Sequence, residues 1–399
     1  MKIGVYYVVS ATAAAEIANK QNFPWLNRLS EMTGFSFEVT DLDHLNEYDM
    51  VVDFIGGGGT EGIFLKDMDR LPKPYFLLTT GANNSLAASM EILSYLRQNG
   101  LPGEIIHGSD TFVADRIKEL AKILSVRKKL SSFRIARVGE PSDWLIASEV
   151  DAKKLKEETG MELIDISMDE FFEEIKKREY VSNQYTEMIR SRPFDEKEIE
   201  EALYIYGALR RITDRYGLNG LTVRCFDLLD TVHSTGCAAL AILNAEGIYS
   251  SCEGDVPALL SMIVLGELTG EPVFMANPSH IDTDRNEIVF AHCTLPINMP
   301  EDFSIMTHFE SQIGVAFRGK LKEGPITVFK CDGSMKEYFV SGGELLGNLN
   351  EYNLCRTQVR LKLEEPVTYF LRRSIGNHHL IVKGDHSELI KEFFGWREK

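Results

Sequence analysis

The sequence predicts an α/β chain: two Rossmann-like parallel-sheet domains, residues 1–130 and 131–299, then a smaller β-rich C-terminal domain, residues 300–399. Three observations carry this reading. Apolar strands alternate with amphipathic helices through the first third. A second such series starts near residue 131, and past residue 300 short strands follow one another with turn signals between them. A chain of 399 residues also exceeds one ordinary core.

In order, "KIGVYYVV" reads as a buried strand and "WLNRLSEMTG" as a helix closed by Gly34. "DMVVDFIGGGG" is a strand ending in glycines, "PYFLLTTG" another strand, and "SLAASMEILSYLRQNG" an amphipathic helix with Gly100 just past its end. The basic, polar "VRKKLSSF" marks a crossing between domains. "FRIARVG" and "MELIDIS" open the second series, followed by the charged helices "MDEFFEEIKKREY" and "DEKEIEEALYIYGALRRITDRYG", whose charges read as solvated faces. "LTVRCFDLL", "IYSSCEGD", "PVFMANPSH" and "EIVFAHC" are apolar strands with polar ends. The third region holds "GPITVFKCDG", "TQVRLKL", "VTYFLRRS" and "HHLIVKG", with the short helix "SELIKEFFGW" last.

A net charge of −17 and a pI near 5.1 argue against nucleic acid and anionic membrane as partners, because the overall field repels phosphate. No run approaches the roughly 20 apolar residues of a membrane span. The N-terminal apolar run is short and reads as a first strand, not a secretory signal. The six cysteines form no CxxC pair and fit a reducing cytoplasm.

The chemistry concentrates at strand ends, where open α/β sheets bind ligands. Asp227, the pair Glu253 and Asp255, the stretch Asn277 to Asp282, and His292 follow successive strands of the second series. Carboxylates at the mouth of the apolar helix "VPALLSMIVLGELTG" need a partner, and a divalent cation is one. Oxygen ligands with one imidazole favour manganese or magnesium. Asp255 is equally well placed to cap that helix, with Pro257 in its first turn. "GGGGTEG" has a GxGxxG spacing but lacks the acidic residue and strand context of a dinucleotide site, and reads as a turn. "HIDTD" also reads as an exposed turn. In "GNHHLIVKGDH", His378 and His379 sit on opposite faces of a strand, so only one of them faces a given pocket.

"CEGDVPALLSMIVLGELTGEPVF", then "NEIVFAHCTLP", then "GNHHLIVKGDH" resemble, in order, the L-fucose/L-arabinose isomerase family, of which this chain would be a divergent, shorter member. The resemblance implies a metal-dependent aldose–ketose isomerase acting through an enediolate on a hexose or deoxyhexose. It implies Mn2+ (or Mg2+) held by Asp227, Asp255 and His378, with His379 as the fallback imidazole. Asp227, Asp255 and Glu253 are the implied catalytic carboxylates, and the choice between Glu253 and Asp255 as ligand stays open. Asp227 stands where the family has Glu, and Asn277 where arabinose isomerases have a histidine. Arg137, Arg224, His292, Asn277 and His379 are the expected substrate contacts. Arg134, Arg137 and Arg224 lie in or beside strands, and one reaching the pocket would hold an acidic, for instance sulfonated, sugar; pairing with surface acids is the alternative. The resemblance further implies a homo-oligomer, trimer or hexamer, with "GGGGTEG" and "TTGANNS" as contact loops. A non-catalytic sugar-binding protein, or a metal-dependent lyase or epimerase, is the rival reading.

Overall fold

Strand β1 (Lys2–Val8) begins a five-stranded parallel sheet with β2 (Ser36–Thr40), β3 (Met50–Ile55), β4 (Tyr75–Thr79) and β5 (Gly103–Ile106), in the order β2-β1-β3-β4-β5. The computed structural model describes residues 1–9 and 13–395, with residues 13–21 at the level of the backbone. Ser10, Ala11 and Thr12, where the sequence passes from strand to helix, and Trp396, expected in the last helix, lie outside the described residues. The chain divides into two compact units, residues 1–128 with 391–399, and residues 129–390.

In the first unit, helices cover both faces of the sheet. Leu26 and Leu29 of the helix Ala13–Thr33 pack on one face with Val113, Ile117 and Leu120 of the helix Asp110–Leu130. Phe64 and Ile92 of the helices Glu61–Asp67 and Ser85–Gln98 pack on the other. The "GGGGTEG" turn lies against the loop after β4 of the same chain, where Gly58 N–H donates to the Asn83 carbonyl at 2.8 Å.

The second unit holds a four-stranded parallel sheet and a barrel. The sheet runs β7-β6-β8-β9 from β6 (Arg134–Val138), β7 (Glu162–Ile166), β8 (Gly220–Val223) and β9 (Tyr249–Cys252). The helix Val256–Thr269 after β9 is buried along nearly its whole length, as its unbroken apolar sequence demands.

The barrel is closed by β10 (Phe274–Asp282), β11 (Glu287–His292), β14 (Gly324–Cys331), β15 (Tyr338–Asn348), β16 (Thr357–Leu363) and β17 (His379–Lys383), all antiparallel. Strands β12 (Asp302–Met306) and β13 (Ala316–Lys320) form a separate hairpin. Here the structure differs from the sequence expectation. Strands β10 and β11 fall within residues 131–299 but belong to the barrel, and β17 pairs with β10. Short apolar strands buried on both faces look alike in parallel and antiparallel sheets, so periodicity did not separate them. The "HIDTDRNE" segment is the hairpin turn between them, with Asp282 Oδ1 accepting from the backbone of Asp284 and Arg285.

Candidate functional site

The turn that ends β9 supplies both carboxylates. Glu253 takes a left-handed φ of +64° and Gly254 one of +69°, a conformation few non-glycine residues adopt outside constrained sites. Hydrogen bonds fix it: Gly254 N–H donates to the Val223 carbonyl at 3.0 Å, and Asp255 N–H to that of Cys252 at 3.2 Å. A Cβ at position 254 would stand 2.7 Å from the Glu140 carbonyl oxygen. The loop after β6 therefore closes on this turn only because the residue is glycine. From that loop Ser142 N–H donates to the Glu253 carbonyl at 2.8 Å.

Asp255 is fully buried and does two things at once. Its Oδ1 accepts from Ala258 N–H at 2.8 Å, capping the helix Val256–Thr269, and its Oδ2 lies 2.8 Å from His378 Nδ1. Lys330 Nζ, at the end of β14, stands 3.7 Å from Oδ1. Burial alone would raise the Asp255 pKa, but the charge of Lys330 and the His378 hydrogen bond hold it well below the carboxylate range.

Glu253 Oε2 accepts from Trp144 Nε1 at 2.6 Å, and Oε1 faces His378 Nε2 at 3.5 Å. Burial again works against ionisation, and His378 outweighs it, so Glu253 titrates below its ordinary value. His378 thus lies between two carboxylates. Its own burial disfavours charge, yet the hydrogen bond to Asp255 and the charges of Glu253 and Asp255 lift its pKa to about 9. The buried carboxylates are compensated by two cations of the chain itself, His378 and Lys330.

His292 closes the cluster, its ring edge-on to His378 with centroids 5.5 Å apart. Nδ1 lies 2.8 Å from Thr294 Oγ1 and Nε2 3.7 Å from Cys252 Sγ. Burial and the neighbouring His378 charge push its pKa down to about 4, so it is neutral at neutral pH. Cys252, Glu253 and His292 each offer a ligand atom within 4.8 Å of the others.

Several polar atoms here are buried without a hydrogen-bond partner: His378 Nε2, Lys330 Nζ, Ser142 Oγ and Asn277 Oδ1. Asn277 pairs across β10 and β11 with Ala291, the residue before His292. Unsatisfied buried polar atoms are uncommon, and two of these belong to His378 and Lys330, which meet at Asp255.

Other residues singled out in the sequence fall elsewhere. Asp227 accepts from Arg224 Nε at 3.0 Å and, with Gly139, Glu140, Asp165 and Arg224, lines a cleft of about 530 Å³ at the carboxyl ends of β6, β7 and β8. Arg137 pairs with Asp165 at 2.8 Å, and Arg224 also reaches Asp143 at 3.0 Å. Both arginines are therefore paired with acids, the alternative the sequence left open. His379 points away from the carboxylates, as strand alternation requires. Its Nε2 lies 3.2 Å from the Tyr369 hydroxyl and its ring packs with Phe290, Phe339 and Phe370, where burial and the charge of Lys330 push it down to about 3. Its expected substrate contact has no counterpart in these neighbours.

Lys330, Trp144 and Cys252 were not anticipated. For Lys330 a signal existed: in "ITVFKC" it shares a face with the buried Ile326 and Val328, where a charge needs a partner. Among the described residues no helix is long and apolar enough to cross a membrane.

Over 327 residues the chain is 24% identical to a sulfoquinovose isomerase of Priestia aryabhattai, an alignment covering 77% of this chain and 73% of that protein. The sulfoquinovose isomerase of Priestia megaterium (strain ATCC 12872 / QMB1551) gives the same figures. A 90-residue segment is 37% identical to the sulfoquinovose isomerase of Clostridium sp. (strain MSTE9), covering 22% of this chain and 20% of that one. No family model matches the chain.

Proposed function

We propose that this protein is a metal-dependent aldose–ketose isomerase whose substrate is a sulfonated hexose. The observation that carries the reading is the buried cluster of Glu253, His292 and His378, with His378 Nε2 facing Glu253 Oε1 at 3.5 Å and making no hydrogen bond. The relatives are sulfoquinovose isomerases, and they supply the substrate class.

One carboxylate with two imidazoles is a donor set for a borderline divalent transition metal rather than for Mg2+. Glu253, His292 and His378 would hold Mn2+. Asp255, already bonded to His378 Nδ1, would orient that ring as the outer carboxylate of a metal-bound histidine does. The Cys252 thiol is pushed well up by its contact with Cys225 and by burial, stays neutral, and is a poor ligand in that state. Once bound, such a cation polarises the sugar carbonyl as a Lewis acid. The chain's own part is to hold and move protons. Isomerisation transfers one proton from C2 to C1 and another between the two oxygens. Glu253, ionised at neutral pH, is the base that takes the C2 proton and returns it to C1. Trp144 fixes the other Glu253 oxygen and covers it.

The test is interconversion of a panel of aldoses and ketoses, sulfonated, 6-deoxy and neutral, by EDTA-stripped protein with and without added Mn2+. The expected result is Mn2+-restored conversion of the sulfonated sugar, lost in Glu253→Gln and His378→Gln. Sugar binding with no turnover under any metal condition would replace the isomerase reading with a sugar-binding protein. Sedimentation of the same sample checks the homo-oligomer expected with it.

A further inference from the structure

The chain carries 60 acidic residues against 43 lysines and arginines, so a buried arginine without an acidic partner is out of keeping with its surroundings. Two arginines lacking one stand side by side, Arg356 buried and Arg318 half-buried. Arg356, 8% exposed, donates from Nε to the Thr307 carbonyl at 2.7 Å, and from Nη2 to Thr307 Oγ1 at 3.1 Å and Gln312 Oε1 at 3.5 Å. Arg318, on β13, has a buried Nε with no partner. Among the described residues no carboxylate lies within ion-pair distance of either guanidinium, whereas Arg137 and Arg224 are both paired.

The two arginines are neighbours through Thr357. Its hydroxyl donates to the Phe317 carbonyl at 2.8 Å and accepts from Gly319 N–H at 3.1 Å, bracketing Arg318, and Arg356 is the residue before it. Thr357 is also the direct cross-strand partner of His292. One strand spacing, about 5 Å, separates the backbone of His292 from that of Thr357. Arg356 therefore immediately precedes the residue that pairs with His292. A run of ring contacts leads from the cluster toward the same region: Trp144, bonded to Glu253, meets Phe226 edge-on, and Phe226 meets His308, next to the Thr307 that holds Arg356. Burial and the nearby Arg356 also lower the Arg318 pKa, as an unneutralised cation pair requires.

We infer that Arg318 and Arg356 form the subsite for the substrate's anionic group, a sulfonate, and select acidic over neutral sugars. This rests on the isomerase reading for the other end of the substrate. A tetrahedral sulfonate offers three acceptor oxygens to two guanidinium forks, and it supplies the counter-charge the fold withholds.

The experiment compares 6-deoxy-6-sulfoglucose with 6-deoxyglucose on the Mn2+-supplied full-length protein, by calorimetric affinity and by kcat/KM. Arg318→Gln is the main variant because its Nε supports no contact in the fold; Arg318→Lys and Arg356→Lys accompany it, with circular dichroism melting to confirm folding. Arg318→Gln is expected to weaken the sulfonated sugar by about 10- to 100-fold while leaving 6-deoxyglucose unchanged, and Arg318→Lys to recover part of the loss. Equal losses on both sugars, no loss on either, or a wild type that does not prefer the sulfonated sugar would each overturn the inference. If the wild type converts the sulfonated sugar while Arg318→Gln keeps the preference, the subsite is wrong and the isomerase reading stands. If the wild type binds the sulfonated sugar through these arginines but converts nothing, the subsite stands and the isomerase reading fails.

Discussion

Asp255→Asn isolates the charge that ties the site together. Asparagine caps a helix about as well as aspartate, so the bond to Ala258 N–H survives. The negative charge facing His378 and Lys330 is what disappears. In the wild type His378 titrates at about 9 against 6.5 for a free imidazole. Because the folded value lies above the unfolded one, this stabilisation is fully present below pH 6.5 and is lost as pH rises through 9. It amounts to about 3 kcal/mol, at roughly 1.4 kcal/mol per tenfold change. Leaving buried cations uncompensated costs about 3–5 kcal/mol at neutral pH. The expectation is a wild-type stability that falls between about pH 6.5 and 9, and a variant that is less stable at the acidic end and falls less across the window, with Glu253 still facing His378. The gap between them should narrow by the Asp255 share of that shift, below about 3 kcal/mol. The assay is urea unfolding of EDTA-treated protein, followed by Trp144 emission with Trp25 and Trp396 changed to Phe. Parallel curves for the two proteins, or a wild type that gains stability with pH, would refute the argument.

Two further outcomes follow from the same charges. Mn2+ binding to His378 must expel its proton, so below about pH 9 each bound ion should release about one proton, and affinity should rise nearly tenfold per pH unit. Calorimetry in buffers of different ionisation enthalpy measures this, and binding that ignores pH would exclude His378 as a ligand. Elsewhere in the second unit, Glu174 is buried among Lys177, Arg211 and Arg215; burial opposes its charge, but these cations lower its pKa from 4.5 to about 2. Its contribution, about 3 kcal/mol, is present above pH 4.5 and lost as pH falls toward 2. Glu174→Gln should remove that acid dependence in urea titrations, and an unchanged dependence would show the cluster to be inert.

The parallel sheets were legible because their helices and strands differ in period, and because Gly34 and Gly100 end helices where the pattern stops. The barrel was legible only from β14 onward. Strands β10 and β11 carry no mark of their antiparallel pairing except the turn between them, and pairing partners distant in sequence leave no periodic trace. At the site, Glu253 and Asp255 could be read from two acids beside an apolar helix. The separation of His378 from His379 followed from strand alternation. What joins these residues is tertiary: the bond from Asp255 to His378 spans 123 positions. Arg318 and Arg356 were invisible because an arginine's significance here lies in lacking an acid nearby, which no local stretch of sequence displays.

Asp255 shows why fold and site are hard to vary independently here. Its carboxylate is immobilised because it caps a helix that is itself buried along nearly its whole length, and that immobility passes to His378 through a 2.8 Å bond. A positioning residue on such a helix has no freedom to drift, which a site requiring sub-ångström placement needs. The cost is that loss of Asp255 damages cap, charge balance and imidazole orientation together. Glu253 is the contrasting case. It sits on a left-handed turn at the rim, caps nothing, and is held by side-chain contacts to Trp144 and His378. Substituting it relieves backbone strain only if the new residue tolerates that φ, and leaves the helix intact. The carboxylate proposed as the base is thus placed where it can be substituted without unfolding the unit, and the residue that aligns His378 is placed where it cannot.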